Sequence, residues 1–207
     1  MIRAGTIQEA QPTLGQWVFV DLGFASNAKS CGLSIGQLEP EELTFADLSS
    51  RLRVLAREEG PPLNLVLEAP LSVAFSCAGN PVGRSIEQRE GQTPRYWYLG
   101  LGCGVLMAAT YLLQSLREAM PRREVRLFEG LASFKPKGEK SSHAADVQKL
   151  RSIIFEPDAP PGRIIAPETL RINPTDQLRS AFAVSGMDFG IPPVLMVEGV
   201  SHMEKKS

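Results

Sequence analysis

The sequence predicts a single α/β domain with a mixed sheet, in which an opening β-hairpin is followed by parallel strands and helices flank the sheet. Three observations carry this prediction. Short apolar runs of strand length alternate with segments of helical period along the chain. No internal repeat and no linker interrupts the alternation. Three of the apolar runs end in or near an acid, namely Asp21, Glu68 and Glu129. With 207 residues, 43% of them hydrophobic and 22% charged, the chain is long enough to bury a core without disulfides or a structural metal. The expected boundaries are an N-terminal extension over 1–15, one domain over 16–199 and a flexible tail over 200–207.

The elements follow in order. Residues 17–21 (WVFVD) read as a strand ending in an acid, and Gly23 opens a turn into 29–36 (KSCGLSIG), whose alternation makes an antiparallel partner. The space over 36–44 leaves room for only a short third strand. Thr44 and Asp47 form a capping pair ahead of Leu48, Leu52 and Leu55, one face of a helix that Gly60-Pro61-Pro62 ends. Residues 63–68 (LNLVLE) are the next strand, and 76–94 read as a polar loop carrying Arg84, Glu87, Arg89 and Glu90. Residues 96–116 are 21 consecutive uncharged positions between Arg95 and Arg117, which is long enough to cross a bilayer. Gly100, Gly102, Gly104, Thr110, Gln114 and Ser115 within it, and strand signals on both sides, favour a helix buried in the protein, so no membrane span is expected.

Residues 124–134 (EVRLFEGLASF) read as a strand that breaks at Gly130, just after Glu129, and a basic loop (KPKGEK) follows over 135–140. Residues 142–154 have amphipathic helical spacing, with Val147, Leu150, Ile153 and Ile154 inward. A short strand over 163–165 follows a connector. A final helix is expected over 175–186, beginning after Asn173-Pro174 and ending at Gly186, and a last strand over 193–197.

Composition excludes several classes. With 22 basic against 23 acidic side chains, no global field draws the chain to nucleic acid or anionic membrane, so a polyanion site must be a local patch. Cys31, Cys77 and Cys103 form no C-x-x-C pair, and the chain has two histidines, which excludes a zinc cage and points to reduced thiols. The start of the chain lacks the basic and apolar regions of a secretory signal, and the expected compartment is the cytoplasm.

The position of the acids is the functional signal. Ligands of an open α/β sheet gather outside the carboxyl ends of its strands, so Asp21, Glu68 and Glu129 meet there if their strands are neighbours. Asp176, in the first turn of the expected last helix, joins them. Clustered carboxylates repel one another unless a cation neutralises them, and Mg²⁺ or Mn²⁺ suits carboxylate oxygen. Such ions position a phosphodiester for attack by water. The plainer reading is that strand-end acids meet solvent and that Asp176 caps a helix.

The segment VDLGFASNAKSCGLSIG resembles the first hairpin of RNase H-like folds, with Asp21 as the first-strand aspartate. VLEAPLSVAF resembles the fourth strand, where RuvC-type resolvases place a glutamate, and TDQLRSAFAVSGM resembles the terminal helix that supplies a late aspartate. Over residues 16–198 the order of segments is similar to that of a family of predicted RNase H-like nucleases, domain of unknown function 429. The similarity lies in the step Glu68-Ala69-Pro70, the acid Glu129 after the fifth strand, and the segment from Asp176 to Ala181. The resemblance implies a metal-dependent nuclease or phosphodiesterase, a hydrolase in which Asp21, Glu68 and Asp176 hold Mg²⁺ or Mn²⁺. Glu129 is then a fourth ligand or a water-orienting group. RNase H proper also draws an acid from beyond the third strand, where Glu41, Glu42 and Asp47 are ambiguous candidates.

Arg84, Arg89 and Arg95, with Tyr96 and Trp97, follow the Glu68 strand, and Lys135, Lys137 and Lys140 follow the Glu129 strand. They read as contacts to the backbone of DNA or RNA, with an aromatic for stacking; the alternative is that Arg84 and Arg89 pair with Glu87 and Glu90 on a solvated loop. His143, at a helix start, reads as a surface residue rather than a proton shuttle, since nothing nearby in sequence orients it. Two other readings use the same fold. Asp21-Leu22-Gly23 also resembles the first phosphate loop of actin-like ATPases and sugar kinases, which pair two such domains. A non-enzymatic reading makes the chain a partner-binding module with the uncharged helix as a homodimer surface.

Overall fold

A computed structural model describes residues 1–23, 29–88, 101–132, 142–156 and 162–197. The stretch expected as an extension contributes a strand, β1 (Ile2–Ala4). The apolar run after it becomes β2 (Gln16–Leu22), with Trp17 to Leu22 all buried. It pairs antiparallel with β3 (Cys31–Ile35), and the short β4 (Glu41–Leu43) extends that edge. Thr44 caps α1 (Phe45–Arg57) by accepting the Asp47 backbone N–H, and Leu48, Leu52 and Ala56 turn inward.

Strand β5 (Leu63–Glu68) is fully buried. The polar stretch beyond it is more than a loop. Strands β6 (Ser72–Phe75) and β7 (Pro81–Val82) pair as a hairpin, and a 3₁₀ turn over Ser85–Glu87 follows. Next come α2 (Leu101–Glu118), β8 (Val125–Leu131), α3 (His143–Phe155) and β9 (Gly162–Ile165).

The helix expected over 175–186 does not form. In its place β10 (Gln177–Ser180) pairs antiparallel with β6, and a 3₁₀ turn over Ala183–Ser185 ends at Gly186 with φ of 71°. The free edge of β6 supplies backbone partners, and the Ala181 N–H extends the contact to the Leu71 carbonyl at 3.0 Å. That long-range ladder overrides the local helical spacing. The last strand is β11 (Val194–Val197).

Among the described residues the main sheet has eight strands, ordered β4-β3-β2-β5-β8-β11-β9. Strands β2, β5, β8 and β11 run parallel, and β3 and β9 run antiparallel to their inner neighbours. Strand β1 lies parallel to β8 along Val125–Leu127, on the stretch of β8 that precedes the residues paired with β11. The sheet is sandwiched. Val18, Val20, Leu65, Leu67 and Leu127 pack under α1 and α2. Trp17, Phe19, Val66, Phe128 and Leu195 pack under Val147, Leu150 and Ile154 of α3.

From Leu101 the uncharged run forms α2, but this helix is not buried all round. Ala109, Leu112, Leu113 and Leu116 face the core, while Met107 and Tyr111 are exposed, Tyr111 by 65%. As an outer-layer helix it covers the sheet with one stripe only. Among the described residues, no helix is long and apolar enough to cross a membrane.

Candidate metal centre

Side chains of a strand alternate between faces, so register decides which acids meet. Asp21 of β2 pairs with Glu68 of β5, and on the other side with Gly32 of β3, which in turn pairs with Glu42 of β4. This row crosses four strands on the face covered by α3. At Gly32 the absence of a side chain lets the helix approach: a Cβ there would sit 2.5 Å from the His143 carbonyl oxygen and 2.8 Å from Val147 Cγ2. A Cβ at Gly23 would overlap the His143 ring itself. These two glycines seat the start of α3 directly over the row.

The helix begins where its sequence says it should. Ser142 is the N-cap, its hydroxyl accepting the Ala145 N–H at 3.1 Å. The first turn then presents His143 and Asp146, three residues apart, on the face that meets the sheet. Asp21, Glu68 and Asp146 are 6%, 4% and 2% exposed. One carboxylate oxygen of each lies within 4.8 Å of the others, close enough to share one ion. His143 Nδ1 lies 2.6 Å from Asp21 Oδ2. That hydrogen bond raises the His143 pKa above its ordinary 6.5; burial opposes the rise, and the charges of Asp21, Glu42 and Asp146 add to it. The Ala144 N–H points to Glu42 Oε1 at 3.5 Å, and Lys149 Nζ lies 3.4 Å from Asp146 Oδ1.

Three buried hard-oxygen donors at this separation fit Mg²⁺ or Mn²⁺. Burial raises the cost of their mutual repulsion, which a divalent ion offsets.

Two acids expected in the cluster stand elsewhere. Glu129 is in register with Leu67, one step from Glu68, and so faces the opposite side of the sheet. There its Oε2 accepts the Leu71 N–H and Arg84 Nη1, each at 2.9 Å. Arg84 also donates to Ser72 Oγ at 2.9 Å and to Glu87 Oε1 at 3.0 Å. Arg84, Glu87 and Glu129 are all 0% exposed. Burial pushes the Glu129 pKa up, against the pull of Arg84. Arg84 is therefore an internal counter-ion, not a contact to a phosphate backbone.

Asp176 closes a turn: its Oδ2 accepts the Asn173 N–H at 2.9 Å, ahead of a strand rather than within a helix. The late aspartate of the cluster is Asp146 instead. The sequence carried a signal for it, a His-x-x-Asp step opening an amphipathic helix after an acid-bearing strand. His143 is likewise oriented, by Asp21 at a distance of 122 residues in sequence. Arg89, Arg95, Lys135 and Lys137, with Tyr96, Trp97 and Lys140, lie outside the described residues. A groove of about 480 Å³ runs beside β9, lined also by Ser85, Ile86 and Thr169, and includes none of the clustered acids.

Comparison with family models, with curated proteins and with solved structures returns no match.

Proposed function

We propose that this chain is a divalent-metal-dependent phosphodiesterase of the RNase H-like type, acting on nucleic acid. The observation that carries the reading is the convergence of Asp21, Glu68 and Asp146, from two adjacent parallel strands and a helix N-terminus, on one ion-sized space. The order of parts supports it: an opening hairpin whose first strand bears an aspartate, a later parallel strand ending in a glutamate, and a helix that supplies a late aspartate. The helix is α3 rather than the segment first expected.

A bound Mg²⁺ or Mn²⁺ would supply Lewis-acid polarisation of a phosphoryl oxygen and a more acidic water. The chain's own groups do the rest. Asp21, Glu68 and Asp146 hold the ion. His143 fixes the orientation of the Asp21 carboxylate through Nδ1 and, with its raised pKa, retains a proton near neutral pH more fully than an ordinary histidine. Trp17, Phe19 and Val66 give the acids a rigid apolar floor, which holds their spacing constant.

The test is cleavage of single-stranded and duplex DNA and RNA, and of a branched junction, with Mg²⁺ or Mn²⁺. Wild type and Asp176→Asn should cleave, and Asp146→Asn should fall to background. Cleavage surviving in Asp146→Asn would sink this site. Binding without cleavage of any substrate is the behaviour of a catalytically degenerate partner-binding module.

A further inference from the structure

We infer that Lys149 is a tethered cation that stands in for the divalent ion in the metal-free protein and competes with it, thereby setting the metal concentration at which the site fills. The inference rests on Asp21, Glu68 and Asp146 being the metal ligands, and it assigns that site a built-in regulator.

The geometry is that of a loose, releasable pair. Lys149 Nζ is 3.4 Å from Asp146 Oδ1, longer than the roughly 2.7–2.9 Å of a tight charged hydrogen bond. Its partner is fixed, since the Asp146 side chain is 3% exposed, whereas Lys149 is 41% exposed. The ammonium therefore reaches a buried carboxylate from a flexible stem rooted at the solvent side, one turn along the same helix. The other cations of α3 have partners of their own, and only His143 shares the cluster. Arg151 Nη1 donates to the Gln37 and Leu38 carbonyls at 2.9 and 2.6 Å, and His143 is bound to Asp21.

Three carboxylates packed within 4.8 Å repel one another when no ion is present. Lys149 relieves that repulsion. A divalent ion in the same space relieves it more strongly, and it repels the ammonium, which has an open path to water. Every ion that binds therefore meets a positive charge the protein already holds on Asp146.

Mn²⁺ is titrated calorimetrically into the EDTA-stripped full chain, as wild type, Lys149→Gln and Lys149→Arg, with circular dichroism as the check of folding. Lys149 is half-exposed, so both variants are expected to fold. Lys149→Gln should bind Mn²⁺ roughly three- to tenfold more tightly, the size expected when one charge several ångströms from the ion is removed. Lys149→Arg should stay near wild type. Melting gives a second readout: without metal Lys149→Gln should melt below wild type, and saturating Mn²⁺ should close that gap. Binding by Lys149→Gln alone would be the same effect in stronger form. Equal Kd values in wild type and Lys149→Gln, within about twofold, would overturn the inference and leave the metal site standing. Absence of Mn²⁺ binding in all three would overturn both.

Discussion

His143 on α3 places Nδ1 2.6 Å from Oδ2 of Asp21 on β2, joining the start of a helix to the end of a strand across 122 residues of sequence. Its partner is a buried acid of the candidate metal centre, so the contact is at once a packing restraint and a part of the site. The His143 pKa is raised, so the pair stabilises the fold fully below pH 6.5 and loses that contribution as pH rises through the higher folded-state value. His143→Gln in EDTA should therefore melt lower than wild type at pH 6, and the gap should narrow towards pH 9. The half-exposed ring limits the effect to about 1 kcal/mol, or roughly 2–4 °C. A gap that widens with pH would contradict the assignment.

Metal linkage separates the acids that assemble from those that do not. With ion at about a hundred times its Kd, wild type should gain about 2.7 kcal/mol, or roughly 5–10 °C in Tm. Asp21→Asn and Asp146→Asn should lose most of that gain, whereas Asp176→Asn and Glu129→Gln should keep it. Differential scanning fluorimetry with Mg²⁺ and Mn²⁺ reads all four.

Arg84 and Glu129 form a fully buried ion pair at 2.9 Å. Arg84→Ala strands Glu129 and Glu87 without their counter-ion, and should cost about 3–5 kcal/mol in urea unfolding. Glu129→Gln removes a charge that burial already disfavours, so it should cost less than Arg84→Ala. If Arg84→Ala were as stable as wild type but bound nucleic acid more weakly, Arg84 would be a substrate contact after all.

A methyl group tests the seat of α3. Gly32→Ala forces a Cβ against the His143 carbonyl, which must lift the helix start, at about 1–3 kcal/mol. The metal-induced rise in Tm should shrink with it, because Asp146 rides on the same turn. An unchanged metal response would show that the helix start does not position Asp146.

The legible part of this architecture is the local part. Thr44 and Asp47 declare a helix start, WVFVD and LNLVLE declare buried strands, and both strand-end acids, Asp21 and Glu68, are in the cluster. Register is not local. Nothing in LFEG says which face Glu129 will take, because that depends on pairing with Leu67 rather than with Glu68. The segment around Leu178 has helical spacing, but its fate was decided by the open edge of β6, itself only four residues long. Asp146 was visible as part of an amphipathic helix, while its role emerges only when Gly32 lets that helix settle onto the sheet.

The shared edge of β8 also orders events during synthesis. Strand β11, made after both β8 and β9, inserts between them, so the Glu129–Leu131 stretch lacks that partner on the nascent chain until β11 has left the ribosome. Strand β1, made before β8, is already available to occupy Val125–Leu127. It thereby shortens the sticky margin on which a half-made molecule could join another.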